Sequence, residues 1–259
     1  MKSLLEVILL SSDFLEKKGL ERPRRSAEEV IADALGKKRL DLYLEFDRLL
    51  NEDELAKCRA VIQRRACGEP AAYIAGKVEF AGVMLEVDRS VLIPRPETEI
   101  LVEKMKGLEG IVWDVCTGSG AIGIALKKRF PHLTVVLSDL DVEVAKKNAE
   151  LNKVDVEILQ GDFLDPFEGA CDHLVCNPPY LTEEEYAQTS PELRDFEPKR
   201  AFVGGLTFYE RLKGELGRVR KKIWLEIGAT QGVAVKEIFG SGIVEKDWAG
   251  HDRFFSLEL

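Results

Sequence analysis

Histidine and cysteine are scarce in this chain of 259 residues, and neither is arranged as a metal site. The five cysteines include no pair with C-x-x-C spacing, and the three histidines, His132, His173 and His251, are scattered. An odd number of thiols without such spacing is typical of reduced cysteines in a cytoplasmic protein. The sequence therefore predicts no metal site, and it favours a cytoplasmic location.

Long apolar runs are also missing, since no stretch approaches the length of a membrane-spanning helix. The apolar start of the chain, residues 4–10, is interrupted by Glu6, and its amphipathic pattern continues to Gly19. This pattern indicates a helix rather than a signal peptide. We therefore expect no membrane partner.

An excess of basic residues is lacking as well, because the formal net charge is −9. The excess acidic side chains lie in the carboxyl-terminal two thirds, which argues against a large nucleic-acid surface there. Two small basic clusters, Arg22 with Arg24 and Arg25, and Arg64 with Arg65, lie in the amino-terminal third. They are either solvated helix ends, which we favour, or a contact for an acidic or RNA-containing partner.

The hydrophobic content of 45% and charged content of 32% fit a globular protein of one or two domains. Residues 1–75 show helical periodicity, with capping-box patterns at Ser26 with Glu29 and at Asn51 with Glu54. Residues 76–90 alternate around Ala81-Gly82 and predict a β-hairpin that links two domains.

Residues 91–259 alternate between strand and helix patterns, which predicts a doubly wound parallel sheet. Parallel strands are expected at 111–115, 133–137, 154–159, 172–176 and 223–227. Helices are expected at about 97–106, 119–130, 141–152, 207–220 and 233–239. Two late strands, at 243–248 and 253–259, are close enough in sequence to pair antiparallel.

A glycine-rich loop follows the first of these strands and opens a helix. Its residues are Asp114, Val115, Cys116, Thr117, Gly118, Ser119 and Gly120. Glycines permit a tight turn and close approach of a ligand, and the helix start offers free N–H groups. Cys116 stands where many nucleotide loops have glycine, so the loop is not the G-x-G-x-x-G dinucleotide fingerprint. It suits a nucleoside without phosphates.

Polar residues also follow the next strands, at the same predicted edge of the sheet. Asp139, followed by Leu140, is placed to accept both hydroxyls of a ribose. Asp162 and Phe163 are placed to hold an adenine by its amine and by stacking. Arg95, in a proline-stiffened segment before a helix, is placed to face a ligand.

The fourth strand runs into Asn177-Pro178-Pro179-Tyr180. The two prolines hold Asn177 extended, so that its side-chain oxygen and the Pro178 carbonyl can accept two hydrogen bonds from one planar amide or amine. Tyr180 can offer a flat ring beside them. An ordinary loop with a tight Pro-Pro turn is the alternative for this motif alone.

Together these residues resemble a class I S-adenosylmethionine-dependent methyltransferase, and more specifically the HemK family of protein-(glutamine-N5) methyltransferases. The resemblance covers essentially the whole chain. It is carried by Ile93-Pro94-Arg95-Pro96-Glu97-Thr98-Glu99, residues 114–126, Cys176 to Tyr180, Phe196-Glu197-Pro198 and Leu225-Glu226-Ile227-Gly228. Cys116 in place of glycine, and Ala81 where tryptophan is common, are the departures.

The resemblance implies an α/β fold: a Rossmann-like class I sheet with an antiparallel last strand (91–259), a hairpin linker (76–90) and a helical substrate-recognition domain (1–75). It also implies methyl transfer from S-adenosyl-L-methionine, leaving S-adenosyl-L-homocysteine, to the glutamine N5 of the Gly-Gly-Gln motif in class I peptide chain release factors. No direct nucleic-acid partner is expected.

The resemblance assigns residues to three roles. The catalytic residues are Asn177, Pro178 and Tyr180. The cofactor-binding residues are Arg95, Asp114, Thr117, Gly118, Ser119, Gly120, Asp139, Leu140, Asp162, Phe163 and Asn177. The substrate-binding residues are Asn177, Pro178, Pro179 and Tyr180. Two alternatives are a DNA adenine-N6 methyltransferase and a nucleoside-binding protein without enzymatic activity.

Overall fold

The protein is described by a computed structural model that covers residues 2–259. Its contacts divide the chain into two compact units. One comprises the residues up to Lys77 together with Pro191–Phe196, and the other comprises Val78–Ser190 and Glu197–Leu259. This division assigns most of the hairpin to the second unit and a distant helix to the first. The predicted ranges 1–75, 76–90 and 91–259 remain a prediction.

Eleven helices and nine strands form in residues 2–259. The helices are α1 (Leu4–Lys17), α2 (Pro23–Ala34), α3 (Glu52–Ala66), α4 (Ala71–Ala75), α5 (Pro96–Lys104), α6 (Ala121–Arg129), α7 (Glu143–Asn152), α8 (Glu183–Ala187), α9 (Pro191–Phe196), α10 (Thr207–Gly214) and α11 (Gly232–Phe239). Short 3-10 helices lie at Arg39–Leu44, Lys199–Ala201 and Leu216–Arg218. The strands are β1 (Lys77–Phe80), β2 (Val83–Glu86), β3 (Ile111–Val115), β4 (Thr134–Asp139), β5 (Glu157–Gln160), β6 (Cys171–Cys176), β7 (Val219–Glu226), β8 (Ile243–Lys246) and β9 (Asp252–Glu258). None of these helices is both long enough and apolar enough to span a membrane.

The first unit is a helical bundle around one apolar core. Leu4, Ile8 and Leu15 of α1 are fully buried there with Ile31 of α2 and Leu42. Each such side chain contributes about 1.5–3 kcal/mol when it leaves water. The predicted helix at the start of the chain is therefore confirmed, and its apolar face packs in this core.

Of the two predicted capping boxes, one is confirmed and one is wrong. The Glu54 N–H donates to Asn51 Oδ1 at 2.9 Å, and the Asn51 N–H donates to Glu54 Oε2 at 3.0 Å. Ser26, in contrast, is buried inside α2, because this helix already begins at Pro23. Proline fixes a helical φ and needs no N–H partner in the first turn, so it starts the helix earlier.

Four of the five arginines in the basic clusters have ion-pair partners within the first unit. Arg24 and Arg25 pair with Glu28 and Glu29 one helical turn later. In the other cluster, Arg64 Nε donates to Glu69 at 2.7 Å. This pairing supports the interpretation of these clusters as helix faces with internal ion pairs.

Arg65 is buried and ties three segments of the first unit together. Its guanidinium donates to Ser26 Oγ at 2.8 Å, to the Glu69 carbonyl at 3.0 Å and to Glu192 at 2.7 Å. Glu192 lies in α9, so this ion pair anchors the helix that is distant in sequence. A buried arginine needs a full set of hydrogen-bond acceptors. These acceptors come from distant segments, so the sequence around Arg65 does not predict them.

The second unit contains a seven-stranded sheet in the order β5-β4-β3-β6-β7-β9-β8. β3 pairs parallel with β4 and β6, β4 with β5, and β6 with β7, whereas β9 is antiparallel to both β7 and β8. The predicted α/β class and the antiparallel last strands are confirmed. Helices cover both faces, so the central strands are buried on both sides.

The register aligns the carboxyl ends of the parallel strands. Val115 at the end of β3 pairs with Ser138 of β4 and with Cys176 of β6, and Cys176 pairs with Leu225 of β7. The residues that follow these positions therefore emerge at one edge of the sheet, which is where such folds bind ligands.

The predicted helix over 207–220 is wrong in its second half. α10 ends at Gly214, and β7 begins at Val219, four residues before the predicted strand start at 223. Val219 pairs with Cys171, and the charged residues after it form ion pairs, Lys221 with Asp172 and Lys222 with Glu258. Tertiary pairing here overrides a sequence that is rich in helix formers.

Strand β8 is shorter than predicted, because a turn begins at Asp247 rather than after Trp248. The Asp247 carboxylate accepts the N–H groups of Ala249 and His251 at 2.9 and 3.0 Å. Aspartate commonly stabilises turns in this way. The helices α4, α8 and α9 had not been predicted, and each has only five or six residues.

Candidate active site

A cavity of about 230 Å³ lies in the second unit at the carboxyl edge of the sheet. Seven of the predicted site residues line it: Gly118, Asp139, Leu140, Asp162, Phe163, Asn177 and Pro179. A smaller cavity of about 50 Å³ is lined by Arg95, Thr117, Gly118, Ser119 and Asn177, among others. Gly118 and Asn177 line both, so most of the residues predicted from the strand ends do meet in space.

Asp114 lies beneath the glycine-rich loop rather than in either cavity. Its side chain is fully buried, and Oδ2 accepts hydrogen bonds from Thr117 Oγ1 at 2.5 Å and from the Gly123 N–H at 2.8 Å. Gly123 must be glycine, because a Cβ there would lie 2.9 Å from that oxygen. Asp114 therefore holds the loop and the start of α6 in place.

Gly120 also lines neither cavity. Its φ of +84° is unfavourable for other residues, and it immediately precedes α6. The predicted helix start at Ser119 is therefore shifted to Ala121. Gly120 therefore allows the tight turn before α6 through its backbone conformation.

Asp139 reaches the cavity from the end of β4. Its Oδ2 accepts the Gly118 N–H at 2.8 Å, which joins the ends of β3 and β4. Burial raises the pKa of Asp139, whereas the N–H groups of Gly118, Asp141 and Leu140 and the charge of Arg200 lower it. Carboxylate oxygens have lone pairs left after such contacts, so this side chain can accept further hydroxyl donors.

Asp162 and Phe163 lie on the next side of the cavity, together with an arginine that the sequence had not indicated. Arg211 of α10 forms an ion pair with Asp162 at 3.0 Å. Its guanidinium carbon also lies 4.4 Å from the Phe163 ring centroid. The ring meets Phe208 edge to face at 5.1 Å. An aromatic ring fixed in this way suits stacking of a planar base.

Asn177 follows β6 and is partly exposed to both cavities. Its Nδ2 donates to Thr98 Oγ1 at 3.3 Å. Within residues 2–259, no hydrogen-bond donor reaches its Oδ1. The side-chain oxygen therefore remains free to accept a hydrogen bond from a ligand.

Tyr180 lines neither cavity, and its hydroxyl group is held by two neighbours. The hydroxyl donates to Glu226 Oε1 at 3.3 Å and accepts from Arg253 Nη1 at 3.2 Å. Burial and the charge of Glu226 raise its pKa, so it stays a neutral phenol. The Tyr180 carbonyl accepts from Gln231 Nε2 at 2.7 Å, which fixes the backbone after the prolines.

Arg95 lines the smaller cavity and is oriented by a buried carboxylate. Its Nη2 donates to Glu197 Oε1 at 2.5 Å, and Glu197 Oε2 accepts the Ile93 N–H at 3.1 Å. Glu197 thereby fixes the proline-rich segment at both ends. The resemblance to the family includes Glu197 but assigns it no role.

Comparison with known proteins identifies the family of this chain. A family model described as the PrmC N-terminal domain matches residues 6–76, and one described as the methyltransferase small domain matches residues 96–192. A release factor glutamine methyltransferase from Chlamydia trachomatis serovar L2 is 42% identical and aligns with 100% of this chain and 94% of its own length.

This chain belongs to the release factor glutamine methyltransferase family. A relative of the same name from Geobacter sulfurreducens is 38% identical over 80% of this chain and 76% of its own. A methyltransferase from Pyrococcus furiosus has a similar fold, with a TM-score of 0.51 at 20% identity, covering 68% of this chain and 89% of that one. The predicted family and enzyme class are confirmed.

The cavity of this methyltransferase fits its cofactor, S-adenosyl-L-methionine. Asp139 presents a half-buried carboxylate and Phe163 a buried aromatic ring at this cavity, which are groups suited to ribose hydroxyls and to a planar base. Gly118 leaves the loop without a side chain at the point where both cavities meet. Among the described residues, no group of His, Cys, Asp and Glu side chains is arranged to hold a metal ion.

The substitution Gly204→Ala should lower turnover of the methyltransferase about 10-fold or more. A Cβ at Gly204 would overlap the Pro179 carbonyl oxygen, which is backbone and has no freedom to rotate away. The Asn177 corner, which is the segment formed by residues 177–180 after β6, would therefore shift. Steady-state kinetics check this, with Gly214→Ala as the control because a Cβ there meets nothing within 4 Å. Equal activity of the two variants would contradict the expected overlap.

The substitution Asp114→Asn should remove a pH dependence of stability. Burial raises the pKa of Asp114 to about 7. Between about pH 4 and 7 the folded state holds a proton that the unfolded chain has lost, so the free energy of unfolding falls as pH rises. The fall is at most about 4 kcal/mol, from 1.4 kcal/mol per pKa unit.

Urea unfolding of wild type and Asp114→Asn at several pH values measures this effect. All other titrating groups are common to both proteins, so the difference between their unfolding free energies isolates Asp114. We expect the difference to change in favour of the variant from pH 4 to 7 and then to level off. If the unfolding free energies of the two proteins change equally with pH, the pKa of Asp114 is not raised in the folded protein.

Proposed function

We propose that this protein transfers a methyl group from S-adenosyl-L-methionine to the side-chain amide nitrogen of the glutamine in the Gly-Gly-Gln loop of class I release factors. The nitrogen–methyl bond forms as the methyl–sulfur bond breaks, and the products are S-adenosyl-L-homocysteine, the N-methylated amide and one amide proton, which the positively charged nitrogen releases to solvent. The observation that carries the proposal is that Asn177 lines both cavities and that its side-chain oxygen accepts no hydrogen bond within residues 2–259, whereas its Nδ2 donates to Thr98. The family name supports the choice of substrate.

The chemistry of an amide explains what this corner must do. The nitrogen lone pair is delocalised into the carbonyl, so an amide nitrogen is a poor nucleophile. Bound S-adenosyl-L-methionine supplies an already activated methyl group on sulfonium. The chain's residues therefore need to orient the amide and keep water away, rather than to provide a strong base.

Asn177 and Pro178 provide the two acceptors. In our proposal, the Asn177 Oδ1 and the Pro178 carbonyl each accept one N–H of the substrate amide and aim its nitrogen at the cofactor side of the corner. Positive charge that develops on the nitrogen strengthens both hydrogen bonds, so these acceptors act most strongly in the transition state. The burial of Pro178 helps to fix the second acceptor.

Tyr180 and Pro179 complete the substrate side in this proposal. The Tyr180 hydroxyl is held by Glu226 and Arg253, so its ring has little freedom to rotate. A ring held in this way can pack beside the plane of the substrate amide. Pro179 lines the larger cavity next to Asn177 and contributes a rigid apolar wall.

A DNA adenine methyltransferase would use the same type of corner on a flipped base. The family assignment does not favour it, and the acidic carboxyl-terminal part lacks the basic surface that a DNA backbone requires. Any DNA-directed activity would weaken steeply with salt, whereas transfer to a protein loop would change much less.

The proposal is tested by supplying cofactor with a labelled methyl group to three substrates: a purified class I release factor, its Gly-Gly-Ala variant and duplex DNA. We expect label only in the release factor with the intact Gly-Gly-Gln loop. Label in DNA would replace the proposal with adenine methylation. Equal label in both release factors would place the modified residue elsewhere.

A further inference from the structure

A buried glutamate lies behind the Asn177 corner and has no assigned task. Glu226 ends β7, is only 1% exposed, and accepts hydrogen bonds at both carboxylate oxygens. Thr98 Oγ1 donates to its Oε2 at 2.6 Å, and the Tyr180 hydroxyl donates to its Oε1 at 3.3 Å. Both partners touch the catalytic corner directly, because Thr98 also contacts Asn177.

The direction of the Tyr180 hydrogen bond follows from its other neighbour. Arg253 has only donors, so its contact of 3.2 Å with the Tyr180 hydroxyl must use the tyrosine oxygen as acceptor. The single tyrosine proton is then available to Glu226. Arg253 is itself fixed by Asp247, whose Oδ2 accepts from Arg253 Nε at 3.3 Å.

The direction of the Thr98 hydrogen bond follows in the same way. A threonine hydroxyl has one proton, and at 2.6 Å from a carboxylate oxygen that proton is donated to Glu226. Thr98 Oγ1 can then act only as an acceptor toward Asn177. The Asn177 side chain must turn its NH2 group to Thr98, and its oxygen must face away, toward the cavities.

We infer that Thr98 and Glu226 are positioning residues that fix which end of the Asn177 amide faces the substrate. The inference rests on the proposed function, in which the Asn177 oxygen accepts a substrate N–H. If the Asn177 side-chain amide were rotated by 180°, its NH2 group would point at the N–H groups of the substrate glutamine. Two hydrogen-bond donors would then face each other. The relay from Glu226 through Thr98 makes that orientation unfavourable.

The relay explains why a carboxylate is buried at this point. Burial raises the pKa of Glu226, and the hydrogen bond from Thr98 and the charge of Arg253 oppose that rise. A carboxylate has no proton to donate once it is ionised, so it orders both hydroxyls as donors toward itself. A neutral residue of similar size would leave the direction of the Thr98 hydroxyl open.

Replacing Thr98 with valine or serine separates the hydroxyl from the packing. Valine keeps the branched shape and removes the oxygen, whereas serine keeps the oxygen and removes a methyl group. At saturating cofactor and release factor, Thr98→Val should lower kcat at least 10-fold. The KM for the release factor should change less than threefold, because Thr98 is buried and the substitution alters no surface residue. Thr98→Ser should retain at least half of the wild-type kcat.

Three outcomes would overturn the inference. The first is a Thr98→Val enzyme with wild-type kcat, and the second is a Thr98→Ser enzyme as slow as the valine variant. If Thr98→Val does not fold, NMR of the wild-type protein with 15N-labelled asparagine decides instead. One Asn177 side-chain amide proton should then be protected from solvent exchange, and rapid exchange of both is the third contradicting outcome.

The test is distinct from the test of the proposed function. If the wild-type protein methylates no release factor, the proposed function fails before any variant is compared. If wild type is active and Thr98→Val is equally active, only the relay fails. The peaks of Asn177 are assigned by their loss in Asn177→Ala, which does not require activity.

Discussion

Replacing Asn177 with alanine should lower the rate of methyl transfer by about 10²–10³-fold, because it removes an oriented acceptor that acts in the transition state. Cofactor affinity should change much less, since Asp139 and Phe163 lie on other loops of the cavity. Single-turnover transfer to a release factor measures the rate, and titration with S-adenosyl-L-homocysteine measures the affinity.

Two further variants control this experiment. Asn177→Asp keeps the shape but has no NH2 group for Thr98, so it should also be slow. Asn152→Ala removes an asparagine whose Nδ2 donates to backbone carbonyls of Met84 and Asn148, and it should keep full activity. An Asn177→Ala enzyme that turns over at the wild-type rate would contradict its catalytic assignment.

Replacing Asp139 with alanine should weaken cofactor binding by about 10²-fold. The carboxylate is placed to accept hydroxyl donors inside the cavity, and hydrogen bonds to a charged group are worth about 1.5–3 kcal/mol each. The alanine variant also leaves the Gly118 N–H without its acceptor. Asp139→Asn keeps one oxygen for Gly118 and should lose less affinity, about 10-fold.

Isothermal titration with S-adenosyl-L-homocysteine measures both losses. Asp155→Asn, an exposed aspartate just before β5, is the control for a change of charge alone and should bind as wild type does. Wild-type affinity in Asp139→Ala would show that the ribose hydroxyls find their partners elsewhere in the cavity.

The sheet and much of the site were predictable from sequence because their signals are local. Buried parallel strands such as β3 and β6 are short apolar runs, and a polar residue directly after each run marks the sheet edge. Asp139, Asp162 and Asn177 are predicted in this way. The order of strands then places them around one cavity without further information.

Contacts between distant segments were not predictable. Thr98 and Glu226 form a 2.6 Å hydrogen bond across 128 positions, and no local pattern pairs them. Glu226 ends a buried strand at the same edge as the other polar residues, and the resemblance includes it without assigning it a role. Arg211 lies inside the predicted helix 207–220, and its contact with Phe163 has no sequence signature.

The errors in secondary structure have a common cause. Residues 215–222 contain several helix-favouring side chains, yet Val219 pairs with Cys171 and extends β7. Ser26 and Glu29 fit a capping box, yet Pro23 starts the helix one turn earlier. In both places a local helix signal competes with another determinant, a tertiary strand pairing in the first and an earlier helix start in the second, and the sequence alone does not rank them.

The most direct test of the account is to identify the methylated atom. A class I release factor is incubated with the enzyme and S-adenosyl-L-methionine, digested, and fragmented in a mass spectrometer. The account predicts one added methyl group on the side-chain nitrogen of the Gly-Gly-Gln glutamine, absent with Asn177→Ala enzyme. A methyl group on any other residue, or an unmodified loop with active wild-type enzyme, would contradict it.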